Sequence, residues 1–157
     1  MAYVYYKDKQ LPTVITRLFN TVGPRQTGHY GMVIPCFVNQ GIRGEPITVY
    51  GDRQQTRRFC YVGDVVRALV DLVDQPEARG IASNLAGREE PSVEELAHRV
   101  VARVGSDSKV RYVPYEEGFE DMARRLPNTT RAYQMVGFPP ALELDKIIDL
   151  VAENQRR

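Results

Sequence analysis

A chain of 157 residues that is 43% hydrophobic and 26% charged has room for one domain burying roughly 70% of its unfolded surface, and it falls outside the disordered, collagen-like and disulfide-miniprotein classes. Twenty-one Lys and Arg against twenty Asp and Glu leave a net charge of +1; no global field recruits nucleic acid or an anionic membrane, and any anion site must be local. Cys36 and Cys60 stand in apolar neighbourhoods without CxxC spacing and read as core thiols, and the absence of an apolar run near ~20 residues or of a signal-like start fits a cytoplasmic protein without a membrane span.

In chain order, "TVITRLF" (residues 13–19) is a β-branched run that predicts a buried strand, ending in an Asn-Thr-x-Gly-Pro loop. "MVIPCFVNQGIRG" (32–44) predicts a short helix starting near Pro35, because proline suits a first helical turn. "ITVYG" is a short strand. "YVGDVVRALVDLVDQP" is a helix with Val65, Val66, Leu69, Val70 and Val73 on its expected apolar stripe. "IASNLAG" predicts a second buried strand. "PSVEELAHRVVARVG" is a helix with capping-box spacing between Ser92 and Glu95, one apolar face, and Gly105 as its stop. "KVRYVPY" reads as a strand, "TTRAYQMVGFPP" as a short helix, and "LELDKIIDLVAENQ" as an amphipathic helix. This alternation predicts a single α/β domain with mainly parallel pairing. Neither GxGxxG nor a Walker-type GxxxxGK[ST] occurs, so no self-contained dinucleotide or triphosphate cradle is expected.

Ligands of parallel α/β sheets sit beyond the carboxyl ends of strands, where residues 20–27 would lie. Asn20 carries a donor and an acceptor, Gly23 permits close backbone approach, Pro24 fixes the turn and Arg25 can clamp an oxyanion. The same residues are equally consistent with a loop that only satisfies turn geometry. Arg53, Arg57 and Arg58 form a cluster from which one guanidinium can face a diphosphate, or which can be a solvated basic loop. Arg124 and Arg125, His29 and His98, and the acidic segment holding Glu116, Glu117, Glu120 and Asp121 read as surface features, with no metal-ligand spacing. Tyr3 and Lys7 have the spacing of a catalytic pair one helical turn apart, but the plainer structural reading is preferred.

Taken as a set, "RLFNTVGPRQTG", "PITVYGDRQQTRRFCYVGDVVRAL", "NLAGREEPSVEELA" and "RRLPNTTRAYQMVGFPPALELDKII" resemble the extended short-chain dehydrogenase/reductase family of nucleotide-sugar epimerases, dehydratases and decarboxylases. The resemblance implies a Rossmann-like fold of which this chain is the truncated, C-terminal, substrate-binding portion, without the N-terminal dinucleotide-binding half. In that family, transient hydride transfer to NAD yields a keto-sugar. The NAD fingerprint and the catalytic Ser/Thr and Tyr-x-x-x-Lys belong to the preceding half, so no catalytic residue is assigned here and NAD binding by this chain alone is not expected. By resemblance, the residues around a UDP- or dTDP-sugar are Asn20, Gly23, Pro24, Arg25, Pro35, Phe37, Arg57 and Arg125, with Arg57 and Arg125 on the diphosphate. Arg58, Gly63 and Asn128 depart from the family pattern. The resemblance leaves open a non-catalytic binding or assembly module, and it implies either a homo-oligomer or a separate N-terminal half as partner.

Overall fold

The computed structural model describes residues 1–28, 32–51, 53–115, 124–138 and 140–157. Helix α1 (Ala2–Lys9) precedes β1 (Ile15–Leu18), β2 (Thr21–Val22), α2 (Val33–Ile42), β3 (Ile47–Tyr50), β4 (Cys60–Tyr61) and α3 (Val62–Val73). Then come β5 (Ala82–Leu85), α4 (Val93–Val104), β6 (Val110–Val113), α5 (Thr130–Val136) and α6 (Leu144–Gln155). The strands pair as β1 with β5, β2 with β4 and β3 with β6, all in parallel. Parallel neighbours need long crossovers, which the intervening helices provide; the expected α/β class is what forms.

Two apolar clusters hold these pairs. Helices α2, α4 and α6 close on β3 through Phe37, Val38, Ile47, Leu96, Val100, Ile147 and Ile148, and each fully buried Leu or Ile contributes about 1.5–3 kcal/mol. The second cluster joins Cys60, Val65, Leu72, Leu85, Ala132 and Phe138, packing α3 on β4 and α5, and α5 on β5. Helix α4 starts as its capping signature predicts, Ser92 Oγ accepting from the Glu95 amide at 3.0 Å, and it ends at Gly105 in the left-handed conformation (φ 65°). His98 is exposed, as expected. Arg99 links α4 to α6 through Asp145 while also meeting Glu89.

The apolar stripe expected on α3 is corrected by the structure. Its buried face is Asp64, Val65, Ala68 and Leu72, whereas Val66, Val70 and Val73 are 52%, 60% and 65% exposed. The helix is rotated because buried Asp64 is neutralised from two sides: it pairs with Arg67, and its carboxylate accepts the Leu142 amide at 3.2 Å. Hydrophobicity alone could not rank a satisfied aspartate above a valine. Helix α1 has no buried residue, which leaves Tyr3 and Lys7 on a solvated surface. His29 and the acidic residues 116, 117, 120 and 121 lie outside the described residues. Among the described residues, no helix is long and apolar enough to cross a membrane.

Candidate functional site

The end of β1 explains the composition of the loop that follows it. Phe19 makes the last backbone bond to the neighbouring strand, donating to the Leu85 carbonyl at 3.0 Å. The chain then turns at Asn20, whose φ of 42° is a left-handed conformation that asparagine tolerates better than most side chains. The Asn20 carbonyl accepts from the Cys60 amide at 3.2 Å, and its side-chain amide donates to the Arg58 carbonyl at 2.9 Å. Strand end and arginine loop are thereby laced together, one of the two Asn20 amide hydrogens serving this lacing.

Beside this junction opens a cleft of about 760 Å³ whose lining includes Asn20, Phe37, Tyr50, Gln55, Arg57, Phe59, Tyr115 and Arg125. That volume lies in the range of small-molecule sites. Gln55 organises one wall: it is buried, it donates to the Tyr50 carbonyl at 3.2 Å and to the Tyr115 hydroxyl at 2.7 Å, and its Oε1 accepts from Arg57 at 3.2 Å. Arg57 is fixed further by its Nη1, which donates to the Thr56 carbonyl at 2.8 Å, and by its amide, which donates to the Pro91 carbonyl at 3.2 Å. The Tyr115 ring lies against Gly51 so closely that a Cβ there would collide with it, and Gly51 has φ 78°, so both space and backbone demand glycine. Two guanidiniums set against aromatic and apolar walls suit a ligand with an oxyanion at one end and a flat ring at the other.

The charges behind the cleft are organised by one carboxylate. Hydrogen bonds from Arg124 and Thr56 hold the Glu90 carboxyl down to about 2, as expected for an anion accepting several donors. Burial, followed by the Asp64 charge, pushes the Cys60 thiol up to about 12, so Cys60 is a core thiol and no nucleophile at neutral pH. Cys36 is half-buried, and its thiol donates to the Gly28 carbonyl at 2.7 Å. Among the described residues no group of three His, Cys, Asp or Glu could hold a metal ion.

Four of the eight residues singled out in the sequence therefore meet in one cleft: Asn20, Phe37, Arg57 and Arg125. Pro35 lines a smaller adjoining recess that also touches Asn20 and Phe59. Gly23, Pro24 and Arg25 do not line the cleft. Gly23 is packed on Tyr61 and Val62, and the Arg25 amide donates to Asn154 of α6 at 2.7 Å. Tyr50, Gln55, Phe59 and Tyr115 also line the cleft. The signal for Gln55 was its place two residues before Arg57, whereas the two tyrosines carry no local mark of a site.

A bound dinucleotide needs a glycine-rich turn opening onto a helix N-terminus. The junction of β4 with α3 carries Gly63, but Asp64 beside it is buried in the first helical turn with its carboxylate engaged. The start of this helix therefore does not reproduce that glycine-rich turn.

The model of the NAD dependent epimerase/dehydratase family matches residues 1–86. The chain is 37% identical over 140 residues to the UDP-N-acetyl-alpha-D-glucosaminuronate decarboxylase of Bacillus cytotoxicus, covering 86% of this chain and 43% of that protein. Among solved structures, an epimerase of Methanothermobacter thermautotrophicus superposes with a TM-score of 0.90 at 26% identity, over 98% of this chain and 46% of the other. UDP-glucose 4-epimerase of Thermotoga maritima, solved with UDP-glucose, superposes with a TM-score of 0.88 at 25% identity, over 97% and 48%. The chain thus spans less than half the length of these relatives.

Proposed function

Because the chain belongs to the NAD dependent epimerase/dehydratase family, we propose that it is the C-terminal, substrate-binding portion of such an enzyme and that its cleft takes the nucleoside diphosphate of a UDP- or dTDP-linked sugar. The observation that carries this reading is the convergence of Arg57 and Arg125 on one aromatic-walled cleft beside Asn20. Guanidiniums recognise diphosphate oxygens in bidentate fashion, and Phe37, Tyr50, Phe59 and Tyr115 offer flat surfaces for a base. Relatives with similar sequences are decarboxylases of UDP-sugars by name, which favours uridine.

Recognition is the part of the reaction these residues supply. No described side chain in the cleft is placed as an acid-base pair for the sugar, so the chain by itself binds without turnover, and NAD and the reacting groups come from the complementary half of the fold. Calorimetric titration tests the reading: UDP and UDP-glucose saturate the protein, uridine binds far more weakly for want of the diphosphate, and NAD gives no heat of binding. Equal binding of uridine and UDP, or NAD-dependent turnover of a UDP-sugar by this chain, would sink it.

A second reading, an assembly module, has one observation in its favour. Val62, Val66, Val70 and Val73 recur at helical spacing on α3 and all are exposed, forming an apolar face of the kind that marks association surfaces. The two readings are compatible, since a face left open on a partial fold can receive either the complementary half or a second copy.

A further inference from the structure

Glu90 lies between β5 and α4 and is not among the residues lining the cleft. Its Oε1 accepts from Thr56 Oγ1 at 2.8 Å and from Arg124 Nε at 2.7 Å. Its Oε2 accepts from Arg124 Nη2 at 3.2 Å and faces Arg58 Nη2 at 4.0 Å. The backbone repeats the same junction, because Thr56 forms isolated bridges with both Ser92 and Arg124. Thr56 and Arg124 are the residues immediately before Arg57 and Arg125.

We infer that Glu90 is a positioning residue that fixes the relative placement of Arg57 and Arg125 by clasping the two segments that carry them. The physical need is plain. Two Arg-Arg dipeptides, at 57–58 and 124–125, approach one another at this junction, and like charges at close range oppose that approach. A carboxylate shared by Thr56, Arg124 and Arg58 offsets the repulsion and satisfies its own lone pairs. It does so outside the cleft, so its negative charge does not meet an incoming diphosphate directly. Arg125 itself makes no hydrogen bond or ion pair with any described residue, so its place depends on the neighbouring Arg124 clasp. Arginines held in place before a ligand arrives lose less freedom on binding it.

The inference rests on the reading that the cleft takes a diphosphate, and two measurements separate the failure of one from the failure of the other. In the free protein, the Nε–Hε resonances of Arg57 and Arg125 are followed by ¹⁵N NMR in wild type, Glu90→Gln, Thr56→Val and, as control, Glu94→Gln, whose carboxylate instead accepts from Tyr112. The clasp predicts that both resonances move in Glu90→Gln and Thr56→Val and stay in Glu94→Gln. Resonances unmoved by either clasp variant overturn it whether or not UDP binds. UDP titration then supplies a double-mutant cycle. Glu90→Gln weakens UDP about tenfold in the wild-type background and by a clearly smaller factor in Arg125→Ala, because one of the two arginines it positions is already gone. Equal losses in both backgrounds overturn the inference, while absence of UDP binding to wild type refutes the proposed ligand and leaves the clasp to the resonances.

Discussion

Asn20 donates its side-chain amide to the backbone carbonyl of Arg58 at 2.9 Å, so the end of the first strand and the arginine loop, distant in sequence, form one wall. The asparagine does this from a left-handed backbone conformation, which separates two effects by mutation. Asn20→Gly keeps the backbone and loses the tether, costing about 1 kcal/mol. Asn20→Ala also strains the turn and costs roughly 1–2 kcal/mol more. Urea denaturation of both variants gives the comparison, and equal stability of the two contradicts the assignment.

Gly87→Ala destabilises the protein by about 3 kcal/mol or prevents folding. A Cβ at Gly87 would meet the Phe59 carbonyl well inside van der Waals contact, and that atom is backbone that cannot swing away. Phe59 lines the cleft, so whatever Gly87→Ala protein folds also binds UDP more weakly. The denaturation midpoint and a UDP titration check both parts. Gly44→Ala is the comparison for strain alone, since nothing lies within 4 Å of the added Cβ and only its φ of 68° resists the change.

Acid weakens the clasp in a defined direction. The Glu90 carboxyl is held down to about 2 in the folded protein, from an ordinary value of 4.5. Its contribution to stability is therefore complete above about pH 4.5 and is lost as the pH falls toward 2. Denaturation midpoints measured between pH 5.5 and pH 3, about one unit either side of that ordinary value, fall in wild type and fall less steeply in Glu90→Gln. Parallel slopes would show that Glu90 is not held down in this way.

The exposed valines of α3 predict association. Light scattering gives a mass above that of the monomer for wild type, and Val66→Lys with Val70→Lys returns it to the monomer without loss of helix content, since both side chains are already more than half exposed. A monomeric wild type contradicts this use of the surface.

Local pattern made much of this fold readable. In α4, the Ser92 cap, the apolar spacing from Val93 to Val104 and the Gly105 stop agree with one another, and the helix forms where they say. In α3 the pattern misled, because two polar partners made Asp64 a better core residue than Val66. The site divides in the same way. Arg57 and Arg125 belong to sequence motifs, whereas Tyr50 and Tyr115 reach the cleft only because β3 pairs with β6, a contact between distant segments that no local spacing encodes. Arg25 had the right chemistry beside the right strand, yet its backbone turns toward Asn154.

In the proposed site Arg57 and Arg125, and not the nearer loop arginine Arg25, hold the diphosphate. Calorimetric titration of UDP into wild type, Arg125→Ala and Arg25→Ala tests it most directly. The expected result is saturable binding in wild type, a loss of about 2 kcal/mol or more of binding free energy in Arg125→Ala, and an affinity within about twofold of wild type in Arg25→Ala, whose amide lies against α6. Loss of binding in Arg25→Ala with retention in Arg125→Ala would place the diphosphate on the loop after the first strand and contradict the cleft described here.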